Sequence, residues 1–273
     1  MNTSKLFSNR LLKSTCAAAL AIAGLGVTAT AQTVVLDPDA AYYGEDLGRP
    51  IENLFSGMTT YTEPQGGMEF SLSGSHERAD DARNSTVMAR VEYGVTDDIQ
   101  AHVQFPFDIA DRSAGMEAQT GASRIEAGAK VSLIEDNSPV AMSIGGDIEI
   151  PLSSNYDVSD KAPNAGPLFK PSLMVGGGGG SAEVHASAQA ELGGEDNALN
   201  YSVGSIFNTG SALTPSLELS SRAQENAAPQ FYATPGVTYS FSDRAELGVG
   251  AGIGLNEVSD DVQLMARFSF NLR

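Results

Sequence analysis

Residues 245–255 read Ala-Glu-Leu-Gly-Val-Gly-Ala-Gly-Ile-Gly-Leu, so every odd-numbered position is apolar and every even-numbered one is Glu or Gly. Period two is the period of a β-strand, whose successive side chains point to opposite faces. One such run constrains little. About a dozen runs of similar length, following one another between residues 68 and 272, constrain the fold severely. Strands of roughly 9 to 12 residues exceed the five or six usual in a soluble sandwich and match what a tilted strand needs to cross a bilayer. The expected fold is all-β: a transmembrane antiparallel up-and-down β-barrel of about twelve strands.

The pattern repeats along the chain. Val87, Ala89, Val91, Tyr93 and Val95 alternate with Met88, Arg90, Glu92 and Gly94, and Ile99, Ala101, Val103, Phe105 and Phe107 with Gln100, His102 and Gln104. The connections at 96–98, 135–138, 177–180, 208–210 and 242–243 are tight and rich in Asp, Asn, Ser, Pro and Gly, as turns are. Between them fall mostly longer, more acidic stretches at 77–85, 108–121, 153–166, 193–198, 222–229 and 256–261. Short turns on one side and longer loops on the other match the periplasmic and extracellular faces of a bacterial outer-membrane barrel, and an even strand number puts both termini in the periplasm. Aromatic residues divide likewise, with Phe70, Tyr93, Phe207, Tyr239, Phe241, Phe268 and Phe270 toward the short-turn rim and Phe105, Phe107, Phe169, Tyr201 and Phe231 toward the other. That arrangement predicts the two aromatic girdles of such barrels.

The N-terminal part is of another kind. Lys5, Arg10 and Lys13 precede an uncharged run over 17–27 and the tripeptide Ala29-Thr30-Ala31, which reads as a secretory signal over 1–31. Residues 32–66 lack alternation and contain Pro38, Pro50 and Pro64; they are expected to form a periplasmic arm, in preference to a segment folded into the lumen. The barrel is assigned to 67–273. Cys16, the only cysteine, falls in the signal, which removes disulfides and thiolate metal sites from the remainder of the chain.

Three of the sixteen basic residues and none of the 34 acidic ones precede Gln32, so the remainder carries a formal charge of −21. A nucleic-acid partner is excluded on that balance. The expected partners are outer-membrane lipid and lipopolysaccharide, the barrel assembly machinery and a small-molecule solute, with the oligomeric state left open. The localisation implied is the outer membrane of a Gram-negative bacterium.

Four stretches carry a resemblance: 93–100 (Tyr-Gly-Val-Thr-Asp-Asp-Ile-Gln), 239–246 (Tyr-Ser-Phe-Ser-Asp-Arg-Ala-Glu), 234–239 (Thr-Pro-Gly-Val-Thr-Tyr) and 250–256 (Gly-Ala-Gly-Ile-Gly-Leu-Asn). In their joint order they resemble the outer-membrane transporter family labelled after the MetA pathway of phenol degradation. The resemblance covers most of 68–272 and implies a porin-like barrel passing aromatic or other small hydrophobic compounds. It brings no catalytic residues. The chain departs from the usual aromatic C-terminus of such barrels, ending Phe268-Ser269-Phe270-Asn271-Leu272-Arg273.

On the inward face the alternation places Glu69, Arg90, Glu92, Arg124, Glu126, Lys130, Asp147, Glu149, Lys170, Glu183, Glu218, Glu246, Gly250, Gly252 and Arg267 as candidate pore-lining residues. Charges in a partly dehydrated lumen must be paired or hydrated, so cross-strand ion pairs and a weakly cation-selective path are both open readings. The inward glycines, Gly250 and Gly252 above all, read as a smooth wall that widens a narrow pore. No catalytic site, cofactor or metal site is expected. The histidines His76, His102 and His185 lie on separate strands, no G-x-S-x-G elbow occurs, and the acidic loops lack the spacing of a calcium loop. The function expected is passive passage of small solutes. The alternatives are a non-conducting structural or adhesion barrel and, less favoured, a barrel-embedded lipid hydrolase.

Overall fold

In the computed structural model the described residues are 54–79, 82–112, 119–122, 124–134, 140–152, 166–179, 181–193 and 197–272. All belong to the compact unit Glu45–Arg273, and the signal assigned to 1–31 and most of 32–66 lie outside them. The strands are β1 (Met68–Ala79), β2 (Ala82–Thr96), β3 (Ile99–Arg112), β4 (Gln119–Ala122), β5 (Arg124–Ile134), β6 (Ala141–Pro151) and β7 (Leu168–Gly179). They continue with β8 (Ala182–Glu191), β9 (Ala198–Phe207), β10 (Leu213–Gln224), β11 (Gln230–Ser242), β12 (Ala245–Gly254) and β13 (Val262–Leu272). β4 pairs with β3 over 107–110 and β5 pairs with it over 99–104, so the two share one position in the wall. Every other strand pairs antiparallel with its sequence neighbours, and β1 with β13 closes a twelve-position barrel.

Registration follows the alternation. Leu247, Val249 and Ala251 of β12 stand opposite Phe268, Ala266 and Leu264 of β13, while Gly248 stands opposite Arg267. Burial is inverted relative to a water-soluble domain. Val249 and Leu72 are each 45% exposed, whereas Gln100, Ser143 and Thr234 are fully buried. An exterior belt of Val, Ile, Leu and Phe is stable only against lipid, and a closed barrel is the one sheet form whose backbone groups are all paired there. Phe70, Tyr93, Tyr239, Phe241, Phe268 and Phe270 are exposed toward the tight-turn rim, and Phe107 and Phe169 toward the opposite one.

Two of the expected loops are largely strand. β1 and β2 stay paired from Ser75↔Thr86 to Ala79↔Ala82, through the stretch 77–85 that the alternation assigns to a loop, and β3 runs to Arg112 inside the loop expected at 108–121. Hydrophobic alternation ends where the chain leaves the lipid, but ladder hydrogen bonds do not need lipid, so pairing continues through polar residues. The first and last barrel residues described, Met68 and Leu272, are paired on the tight-turn rim.

Candidate functional site

The lumen is occupied along the tight-turn half by residues 54–66, which wind across the inner wall as a strap. The sequence favours an arm outside the barrel, and this portion of the segment lies inside it. Its attachments are single polar contacts. The Ser56 N–H donates to Glu218 Oε2 at 3.0 Å, the Met58 N–H to Ser187 Oγ at 3.3 Å and the Glu63 N–H to Gln100 Oε1 at 3.0 Å. Ser143 Oγ donates to the Thr60 carbonyl at 2.8 Å, Arg267 Nη1 to the Leu54 carbonyl at 3.1 Å, and the Tyr61 hydroxyl to Glu183. At the rim the Gly66 N–H donates to the Gly94 carbonyl and Gly94 returns the bond to Gly67. An extended segment buried in a polar lumen needs such partners for its main-chain groups, each worth about 1 kcal/mol net.

Glycine decides where the strap's apolar residues sit. A Cβ on Gly236 would lie 2.2 Å from the Phe55 ring, one on Gly250 would lie 3.0 Å from it, and one on Gly204 would lie 2.4 Å from Leu54. Leu54 and Ile206 form a small buried apolar pair within an otherwise polar interior. The Arg267 guanidinium stands 6.0 Å over the Phe55 ring. Gly250 is therefore the seat of an aromatic side chain, where the sequence suggests an open pore wall. Gly252 faces only Gln263 and Met265.

The opposite wall, β3, β5 and β6, is charged. His102, Gly128 and Asp147 are cross-strand neighbours in one row. A Cβ at Gly128 would fall 1.8 Å from Asp147 Oδ1 and 2.8 Å from His102 Cε1, so its absence lets His102 Nε2 meet Asp147 Oδ1 at 2.9 Å. Lys170, the cross-strand neighbour of Asp147, pairs with Glu126 and, at 2.6 Å, with Glu149 of the next inward row, while Arg124 reaches Glu149 and Asp108 at 3.7 Å. Gln104 Nε2 donates to Glu126 Oε1 and Gln189 Nε2 to Asp147 Oδ2, the latter at 3.0 Å.

All fifteen residues read from the sequence as inward lie on the inner face. Glu69, Glu92, Glu126, Lys130, Asp147 and Glu218 are buried, and Arg90, Arg124, Glu149, Lys170, Glu183, Glu246 and Arg267 are partly so. Their acids are engaged. Arg90 pairs with Glu92 at 2.9 Å, Arg267 with Glu246 at 3.8 Å, and Arg222, which sequence reasoning missed, clamps Glu191 through two bonds of 2.7 and 2.8 Å. The strap residues Ser56, Tyr61 and Glu63 were also missed; their one trace in the sequence is the surplus of inward glycines that something must fill.

Cavities lie beside the strap, toward the longer-loop rim. One of about 340 Å³ is bounded by Phe55, Met58, Arg90, His102, Glu126 and Asp147. Another of about 420 Å³ is bounded by Met58, Asn200, Ser220, Arg222, Tyr232 and Asp260. The strap residues Ser56 and Met58 border both.

A closed, lipid-facing barrel with a polar, strapped lumen invites comparison with membrane channels. The model of the family described as "Putative MetA-pathway of phenol degradation" matches residues 84–272. The chain belongs to this family. Among solved structures, an outer-membrane channel from Pseudomonas putida is similar over 78% of this chain and 98% of its own, with a TM-score of 0.59 at 13% identity. The NanC porin is similar over 75% and 99%, with a TM-score of 0.53 at 9% identity. No curated protein matches the sequence. The fold is that of porin-like outer-membrane channels, and the chain is an outer-membrane barrel.

His76 Nδ1 and Ser85 Oγ, cross-strand partners near the longer-loop rim, lie 2.9 Å apart in an exposed position. A hydrolase needs, besides such a pair, a third group that orients the histidine.

Proposed function

We propose that this barrel is a passive channel for small solutes, with residues 54–66 narrowing the tight-turn half of its lumen and that rim facing the periplasm. The observation that carries the reading is the inner surface. It is polar and cavity-bearing rather than packed solid, and a barrel serving only as a scaffold has no need of water-accessible volume at its centre. The family's description points to aromatic compounds or their small hydrophobic relatives as solutes, and the cavity between Phe55, Met58 and the charged wall offers both an apolar and a polar side to such a molecule. The fifteen inward residues are, on this reading, the lining of the path. Eight of them are acids and five are Arg or Lys, so ion pairing leaves a modest surplus of negative charge and weak cation selectivity.

Planar-bilayer recording with pure, folded protein tests this: discrete conductance steps, reduced by an added phenolic solute, are expected. Absence of steps from a barrel shown to be folded overturns it. The second reading, a non-conducting structural or adhesion barrel, draws on the strap itself, since a lumen crossed by Leu54 to Gly66 is partly closed. Removal of residues 54–58 separates the two. A channel gains conductance on losing its constriction, whereas a barrel evolved as a scaffold gains none that phenolic solutes affect.

A further inference from the structure

We propose that His102, Glu126 and Asp147 form a binding site for one divalent transition-metal cation of the Zn²⁺ type, on the lumen wall. One ligand atom from each lies within 4.8 Å of the others, and all three border the cavity of about 340 Å³. Metal bonds of about 2.0–2.2 Å bring neighbouring ligands to roughly 3–4 Å, so small side-chain movements suffice. A cluster of acids alone would mean little. Here the decisive group is His102, whose side chain is only 8% exposed and whose Nδ1 is buried without a hydrogen-bond partner. Its other nitrogen, Nε2, meets Asp147 Oδ1 at 2.9 Å. A cation between Nε2, Asp147 and Glu126 replaces that single bond with three.

The surroundings are those of a built site. Gln189 holds Asp147 Oδ2 and Gln104 holds Glu126 Oε1, so each carboxylate is oriented through one oxygen, and the oxygens that turn to a metal are Asp147 Oδ1, now on His102, and Glu126 Oε2, now on Lys170. Such outer partners fix ligand geometry. Lys170 now lies on Glu126, but it already has Glu149 at 2.6 Å and can remain paired when Glu126 turns to the metal. The donor set decides the class of ion. An imidazole with two carboxylates suits Zn²⁺, Ni²⁺, Co²⁺ or Cu²⁺ rather than Ca²⁺ or Mg²⁺, which take oxygen ligands. Three protein ligands leave positions open toward the cavity. The site is independent of whether the barrel conducts.

The test is calorimetric titration of ZnCl₂ into the folded full-length protein in detergent, with Co²⁺ absorption as a spectroscopic check of coordination. One equivalent is expected to bind, with His102→Ala weakening affinity by about 100-fold and Asp147→Asn by about tenfold or more. His76→Ala, on the outer face, leaves it unchanged. Heat-modifiable migration in gel electrophoresis confirms that each variant is folded. Should the substitutions prevent folding, the wild-type protein carries the test instead: Zn²⁺ is expected to protect His102 from diethylpyrocarbonate, read by mass spectrometry. Saturable binding that survives His102→Ala, absence of binding by the folded wild type, or modification of His102 undiminished by Zn²⁺ overturns the proposal.

Discussion

Two stretches of the inner wall use glycine to opposite ends. Along β9 to β12, Gly204, Gly236 and Gly250 make the wall recede, and the space is taken by Leu54 and Phe55 from a segment remote in sequence. Along β3, β5 and β6, Gly128 clears room for the wall's own side chains, and His102 and Asp147 close over it. The first wall is a socket for the strap's apolar side chains, and the second, around Gly128, is a network of the wall's own polar side chains. The difference shows that a missing side chain in a barrel strand is ambiguous until its filler is known, because the filler sets whether the lumen can be altered by moving a segment or only by rearranging fixed strands.

Emptying the socket tests this contrast most directly. Phe55→Ala removes the ring that Gly236, Gly248 and Gly250 receive and that Arg267 covers. It is expected to cost the docked strap about 3 kcal/mol, in line with loss of a buried aromatic side chain. The chain has no cysteine beyond Cys16, so with Cys16→Ser as background Thr60→Cys, at a strap position that is buried when docked, reports strap release by its rate of thiol labelling. That rate should rise by roughly two orders of magnitude, since each 1.4 kcal/mol is tenfold, and conductance should rise with it. Unchanged labelling would mean that the polar contacts alone hold the strap.

The charged wall should respond differently. Gly128→Ala puts a methyl group where Asp147 Oδ1 now lies and within 2.8 Å of the Gly146 carbonyl, a clash that backbone cannot relieve cheaply. A destabilisation of about 2 kcal/mol is expected, typical of overpacking, and it should appear as a lower unfolding midpoint in urea with no change in Thr60→Cys labelling. A shift in strap labelling would show that the two walls are coupled. A weaker effect follows from Glu218→Gln, which retains an acceptor for the Ser56 N–H but removes its charge; loss of about 1 kcal/mol of strap docking should raise labelling by roughly fivefold.

The walls were legible in the sequence and the strap was not, for a physical reason. Leu247, Val249 and Ala251 face lipid along their whole strand, so the solvent imposes period two on every residue and the pattern survives without knowledge of partners. The strap meets the wall residue by residue: Ser56 at β10, Met58 at β8, Thr60 at β6 and Glu63 at β3. Nothing repeats along it, and its partners are set by distances across a closed ring. The alternation assigns His102 to the inner face, but its meeting with Asp147 depends on the registers of two successive strand pairs, β3 with β5 and β5 with β6, the second of which shifts at Ser132/Ile134. Periodicity supplies the face of a residue and leaves its height on the wall undetermined.

A subtler effect separates two glycines two residues apart on β12. Both belong to the same inward row and the sequence treats them alike. A Cβ on Gly250 would press the Phe55 ring at 3.0 to 3.1 Å, with Gly236 already closing the other side, so the ring has little room to give. A Cβ on Gly252 would meet the side chains of Gln263 and Met265 at 3.3 to 3.4 Å, flexible chains bordering open volume. Gly250→Ala should therefore loosen strap docking by about 1 kcal/mol and raise Thr60→Cys labelling severalfold, while Gly252→Ala leaves it at the wild-type rate. The direction for conductance also differs from that of a bare pore wall: added bulk at Gly250 opens the lumen by evicting the strap, and bulk at Gly252 narrows it. If both substitutions narrow the pore equally, the glycine row is lining and Phe55 is not held by it.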